Sequence, residues 1–311
     1  MSKGQIQLVI RRFLITAALC VFIVATSISQ AKPTVLTVTT EPDATVFIDD
    51  IRFGRADSSG KLAVRDLGGS RHIVRVRADG FKETTKTITS ASGDVNVPLV
   101  KTTDPAEIAF QEAEKLLARD RSAAADAYRK AINLKPNYTA AYIGLARALS
   151  DSGDSDGALK ALRDLKRVAP ANAEASAVEG RIYKENGDDA KAIAAFKRSI
   201  VQGHGFQPEA YTGLGLVYKE KAEAAGAAGN FDDEATNYAE AAKNLTTALK
   251  QLSGAPDASV LYQLLGLVYE KQKKFDEAIR IYGEFLRRFP DSDEAPTIKS
   301  FIEQIKKQQQ P

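Results

Sequence analysis

Ala124, Ala158 and Ala192 lie 34 residues apart, and a bulky residue follows each at the same interval: Tyr128, Leu162 and Phe196. Pro136 and Pro170 repeat with that period. A small residue, then a large one, then a helix breaker, recurring at this length, confines the chain to stacked helical hairpins. No hairpin buries its apolar face alone, so the units must nest into an α-solenoid. Such a stack is a surface for holding other molecules and supplies no chemistry by itself.

The pattern runs further. From Thr139 a unit reads Tyr142, Leu145, Ala146, Leu149, Ala158, Leu162, Leu165 and Pro170. The next reads Ser176, Glu179, Gly180, Tyr183, Ala192, Phe196 and Ser199, with His204 in place of the proline. A later unit opens with Tyr211, Leu214, Gly215 and Tyr218, and the last reads Tyr262, Leu265, Gly266, Tyr269, Ala278, Tyr282, Phe285 and Pro290. Ala146, Gly180, Gly215 and Gly266, with Ala158, Ala192 and Ala278, fall where two helices cross closely, and the bulky positions fill the space around the crossing. The order resembles the tetratricopeptide repeat family over residues 105–290, which implies five units. In the first, Phe110, Ala113 and Leu117 fit only if the turn between helices is about two residues shorter. In the fourth, Ala241, Leu245 and Ala248 arrive about two turns late in each helix, so the stretch Ala222 to Tyr238 is either a lengthened hairpin or an alanine-rich loop. Residues 291–311 carry Ile298, Phe301, Ile302 and Ile305 at helical spacing, as a capping helix and tail would.

Residues 1–31 hold Lys3, Arg11 and Arg12, no acidic residue, and a mostly apolar run, with Ser29-Gln30-Ala31 offering a peptidase small residues. The pattern predicts a signal peptide cleaved before Lys32 or, left in place, a membrane anchor over residues 13–29. Either gives a periplasmic or secreted address. Cys20, the only cysteine, lacks the small preceding residue of a lipidation signal. Those three basic residues are the whole excess of 43 Lys and Arg over 40 Asp and Glu, so without them the charges balance. Balance argues against nucleic acid as a partner. Sulfur is confined to Met1 and Cys20, so no disulfide or thiolate metal site remains beyond them.

Residues 32–101 change character. Runs at Val35–Thr39, Thr45–Ile48, Leu62–Val64, His72–Arg77, Thr84–Thr89 and Val95–Val97 read as strands, separated by turn residues such as Asp49-Asp50, Gly68-Gly69 and Asp79-Gly80. Alternation sets Val74 and Val76 on a buried face and Arg75 and Arg77 on a wet one. A small β-sandwich followed by the α-solenoid makes the chain multidomain β + α. Pro42-Asp43-Ala44, Ile48-Asp49-Asp50 with Gly54, and Gly69 through His72, Val74 and Val76 to Gly80-Phe81 resemble the PEGA domain. The glycine of its first turn is missing, and Asp43 tolerates the left-handed conformation better than most residues. The resemblance implies an accessory module of envelope proteins and no reaction. The strands join the hairpins through Lys101-Thr102-Thr103-Asp104-Pro105.

No constellation here points to an enzyme. His72 and His204 each stand alone in sequence, and no cysteine cluster or nucleotide loop accompanies them. Asp151 to Gly157 has the look of a calcium loop, but Arg163 stands where the closing glutamate belongs, so an inter-helix turn capped by Asp154 or Ser155 is the better reading. The chain therefore carries no predicted catalytic residue, metal or small-molecule cofactor. The resemblance places the first helix of each unit along a concave groove. There Ile143, Arg147, Arg181, Lys184, Thr212, Lys219, Gln263 and Lys271 fall at candidate binding positions, and Arg147 and Arg181 could grip a carboxylate of an extended peptide. An ordinary solvated helix face fits the same residues. Ile143 and Arg147 do not match the family's clamp for cytosolic chaperone tails, in keeping with an extracytoplasmic address. The expected function is an extracytoplasmic adaptor or scaffold for a protein or peptide partner, with a cell-envelope component as a further contact. The alternative is a structural organiser of the envelope or surface layer without a hetero-partner.

Overall fold

The computed structural model of the protein describes residues 35–309, apart from 66, 68–70 and 253. The segment read as a signal, Cys20 and the Gly68-Gly69 turn lie outside the described residues. The contacts divide the chain into Met1–Pro33 and Thr34–Pro311, and the described strands and helices belong to the second unit.

Strands come first: β1 (Val35–Thr39), β2 (Thr45–Ile48), β3 (Ile51–Arg55), β4 (Lys61–Arg65), β5 (His72–Arg77), β6 (Phe81–Lys82), β7 (Thr84–Ile88), β8 (Gly93–Asn96) and β9 (Val100–Lys101). One sheet has the order β4-β1-β8, a second β3-β2-β5-β7, and β6 pairs with β9. Alternation turns Leu36, Val38, Val64 and Val95 from the first sheet and Val46, Ile48, Val74 and Val76 from the second into one core. The β2–β3 link is two residues, Asp49 and Asp50, at φ of 50° and 66°. Two successive left-handed residues match the twist of a tight hairpin. Asp43 takes the left-handed position of the turn before β2, at φ 59°. Three strands depart from the sequence pattern. β3 shifts register between its pairings with Val46 and Phe47, and β6 and β9 have two residues each.

Eleven helices come after them among the described residues. They are α1 (Pro105–Leu116), α2 (Arg121–Leu134), α3 (Thr139–Asp151), α4 (Ser155–Val168), α5 (Ala173–Glu185), α6 (Asp189–Gln202), α7 (Pro208–Ala227), α8 (Phe231–Gln251), α9 (Ala258–Lys271), α10 (Phe275–Arg288) and α11 (Ala295–Gln308). They pack as successive hairpins, α1 on α2 through α9 on α10. Asp104, Asp120, Asp154, Asn172, Asp188 and Asn230 start six of them by accepting a bond from a first-turn N–H. Asp154 thus caps α4 through the N–H of Gly157.

Ala146, Ala158, Ala192 and Ala278 are fully buried at the crossings. A Cβ on Gly180 would meet the Phe196 ring, one on Gly215 the Leu245 side chain, and one on Gly266 the Tyr282 ring. Gly144 and Gly213 play the same part between hairpins, against Tyr128 and Phe196. The shorter turn expected in the first unit is not found: the link 117–120 is one residue longer than 152–154, and α1, with 12 residues against 13 in α3, is one residue shorter. Ala222 to Tyr238 is the far end of a lengthened hairpin, since α7 and α8 have 20 and 21 residues against 13 in α3. Ile298 and Ile305 of α11 are buried against the last hairpins, while Phe301 stays partly exposed.

Candidate functional site

The first helices of successive hairpins lie side by side and are tied by side chains from one to the next. Arg147 of α3 reaches both Glu174 of α5, at 3.3 Å, and Glu209 of α7, at 2.7 Å. A contact that skips a hairpin requires the array to curve tightly there. Arg181 lies 3.5 Å from Asp151, Ser150 donates to Glu185, and Lys184 meets Glu220 at 2.7 Å. Burial opposes the charge on Arg147, yet Glu209 and Glu174 outweigh it and raise its pKa above the ordinary value. Burial also lifts the Glu174 carboxyl, against the pull of Arg147.

This arrangement sorts the candidate binding residues. Ile143 does not line an open surface: it is 5% exposed and belongs to the core. The reason is that α3 is packed by α1, α2, α4 and α5, which leaves few free positions around it. Arg147 and Arg181 grip carboxylates of the array itself, although Arg147 Nε and Arg181 Nε and Nη2 are buried without a hydrogen bond. Lys184 is paired across hairpins, Lys219 meets Glu223 one turn on, and Thr212 donates to the Pro208 carbonyl. Gln263 is half-buried and Lys271 exposed. Neither has a polar partner among the described residues, and Leu267 beside them is 37% exposed.

The strands pack along the array, beginning at α1. Arg77, expected in water, faces α1, and Arg75, expected there too, is held by partners among the strands. Arg75 stacks over Phe47 at 4.2 Å, and Arg77 over Phe110 of α1 at 4.6 Å. Arg77 also bridges Glu83 and Glu114. Burial disfavours its charge, and the two carboxylates more than restore it, so its pKa is raised. Gln111 locks the backbone in place, accepting from the Gly80 N–H and donating to the Phe81 carbonyl, while Glu107 accepts from the Glu83 N–H. Lys115 meets Asp79 at 2.7 Å. Farther along, Ala255 and Leu252, from the link between α8 and α9, complete the core of the sandwich. The strands are therefore packed against the array from α1 to the end of α8, and the Lys101–Pro105 link is not their only connection. Tyr128 donates to Glu114, and burial with that neighbouring carboxylate drives the phenol's pKa up.

Models of the tetratricopeptide repeat match residues 115–182, 173–200 and 262–292. These segments are tetratricopeptide repeats. Among solved structures, yeast Tom70 aligns with a TM-score of 0.54 at 19% identity, over 67% of this chain and 41% of its own. A chain of the APC/C hetero-tetramer Cut9–Hcn1 gives 0.50 at 18%, over 66% and 37%. MamA gives 0.43 at 22%, over 61% and 94%. This chain thus spans less than half the length of the first two chains, and the likeness to them is one of fold. No curated protein matches it.

Across the repeats, the groove has two unlike halves. The early repeats fill theirs with internal ion pairs and face the sandwich at one end. The last repeat keeps Gln263, Leu267 and Lys271 uncommitted. No charge pattern in the sequence distinguishes the halves, because pairing across a 34-residue step depends on curvature. Phe47 is the one available signal for docking of the strands: it is an aromatic on the same face as Arg75 and Arg77.

Proposed function

We propose that the chain is an extracytoplasmic scaffold that holds a segment of a partner protein along the late half of the groove. The observation that carries this reading is the contrast between the two halves. Early groove positions are neutralised within the array, whereas Gln263, Leu267 and Lys271 offer apolar and polar side chains together, as extended peptides require. A chain of this fold is found within a protein assembly in the Cut9–Hcn1 hetero-tetramer. The strands are read as a PEGA-like module, on the turns at Asp43 and Asp49-Asp50. Export is inferred from the basic and apolar composition of residues 1–31.

Photo-crosslinking tests the groove. A photoreactive residue at Leu267 is expected to trap a discrete protein adduct in intact cells, and Lys271→Glu should reduce it. A residue at Val201, 75% exposed on α6, serves as the control. Equal adducts at both positions, or none at Leu267, would remove the groove reading. Fusing residues 1–31 to a reporter active only after export tests the address separately, and an inactive fusion would refute it.

A further inference from the structure

The hairpin of α7 and α8 runs longer than its neighbours, and its far end carries two features that nothing else in the fold uses. Between Ala222 and Tyr238, which are buried, no residue of 223–237 is. At the turn, Phe231 opens α8 and is 70% exposed, whereas no other phenylalanine among the described residues exceeds 38%. An aromatic side chain left in water is a large apolar surface still to be covered. The same tip is acidic. Residues 222–238 hold Glu223, Asp232, Asp233 and Glu234 and no lysine or arginine. Glu223 pairs back with Lys219, which leaves the other three beside Phe231 in the first turn of α8. Asn230 caps that turn through the Asp233 N–H and so holds Phe231 in one place.

A complementary feature lies elsewhere on the chain. α2 and α4 both pack on α3, and the three helices line a cavity of about 640 Å³. Ile132, Tyr142, Leu145, Leu149 and Val168 give it apolar walls. Arg129, Lys160 and Arg167 line it as well, against one carboxylate, Asp164, which Lys160 and Arg167 share. Arg129 meets Asp126 on its own helix. These three cations are at least half exposed, so their pairs are weak and exchange readily for another carboxylate. By the 3.6-residue turn of α3, Tyr142, Leu145 and Leu149 fall on the side opposite Ile143 and Arg147. The inference therefore stands apart from the groove reading.

We propose that the tip of one copy docks in this cavity of a second copy, with Phe231 among the apolar walls and the acidic turn of α8 against Arg129, Lys160 and Arg167. A volume in the range of small-molecule sites takes a ring and part of the turn behind it. Charge complementarity selects the occupant: the acidic knob and the basic, apolar cavity belong to one sequence. The tip lines no part of the cavity in its own chain, so the match is made between molecules. Knob and cavity are different patches, so copies join head to tail, in an open chain or a closed ring. One tip covers less than a stable dimer interface, and assembly therefore builds with concentration.

Sedimentation velocity of the full chain, from about 1 to about 500 μM, reads the assembly. A species of two or more copies is expected to grow with concentration, and raising the salt to about 0.5 M should weaken it at least about fivefold. Phe231→Ala with Asp232→Lys removes the knob, and Arg129→Glu with Lys160→Glu reverses the rim. All four positions are exposed, and each pair of changes should weaken self-association at least about tenfold. Mixed together, the two variants should pair one to one and stop there, since one keeps an intact cavity and the other an intact knob. Two misfolded chains would not restore each other in this way. A chain that stays monomeric throughout, leaving the cavity to another occupant, would overturn the proposal. So would association unchanged in either variant, or a mixture that fails to pair.

Discussion

Phe196 decides how the third and fourth hairpins can pack. Its ring is 1% exposed and lies between Gly180 of α5 and Gly213 of α7. A Cβ added at position 213 would press on the ring Cζ, with two more ring carbons at 2.5 and 2.6 Å. Carbon atoms pack best at about 3.5–4.0 Å, so the overlap reaches ~1 Å. The ring has no retreat, because a Cβ at position 180 would already stand 2.6 Å from its other edge. Overpacking of this kind costs about 1–3 kcal/mol. Alanine gains back up to ~1 kcal/mol over glycine in a helix. With that full gain, Gly213→Ala is expected to destabilise the array by up to about 2 kcal/mol. Gly283, in α10, is the internal contrast: an added carbon meets nothing within 4 Å, so Gly283→Ala should stabilise by up to ~1 kcal/mol. Urea unfolding followed by far-ultraviolet circular dichroism reads both, as midpoints shifted in opposite directions. Phe196→Leu added to Gly213→Ala should recover part of the loss. A midpoint that rises in both single variants would refute the packing argument.

Other contacts give equally definite expectations. Arg77→Ala strips two carboxylates and two rings of their partner, and should cost about 1–3 kcal/mol after allowance for partial exposure of the partners. Faster hydrogen exchange in α1 would report it, and Arg77→Lys should recover only part, since lysine cannot stack and bridge at once. Asp154→Ala removes the cap of α4 and should lower stability by ~1 kcal/mol in urea unfolding. Asp50→Gly relieves a left-handed residue at φ 66° and should leave the urea midpoint equal or raise stability by up to ~1 kcal/mol, net of the pair with Arg75.

The helical part of the chain is legible in the sequence because its physics is local and repeated. The spacing of Ala124, Ala158 and Ala192 places small residues at crossings, and the buried alanines occupy them. Gly144 and Gly213 are less legible because they serve contacts between units, where the 34-residue pattern does not demand a glycine each time. The strands are legible where Val and Ile alternate, as in β5, and obscure where Arg-Phe-Gly-Arg makes β3 an irregular edge. Docking is the main gap. Alternation states that Arg75 and Arg77 leave the sandwich core, but not that Phe110 and Glu114 wait outside it. Ile143 departs from its expected place for a related reason: helical period assigns a face, and only the packing of neighbouring helices decides whether that face is open.

Central to all of this is that the strands are seated against the first hairpin, so that the early groove is closed from within. Zero-length carbodiimide coupling tests the seating directly, because Lys115 Nζ and Asp79 Oδ1 lie 2.7 Å apart and both are partly exposed. Mass spectrometry should find an amide joining them at a yield independent of protein concentration and similar to that of the Lys160–Asp164 pair within α4. Coupling of Lys160 to Asp164 without any link from Lys115 to Asp79 would contradict that seating.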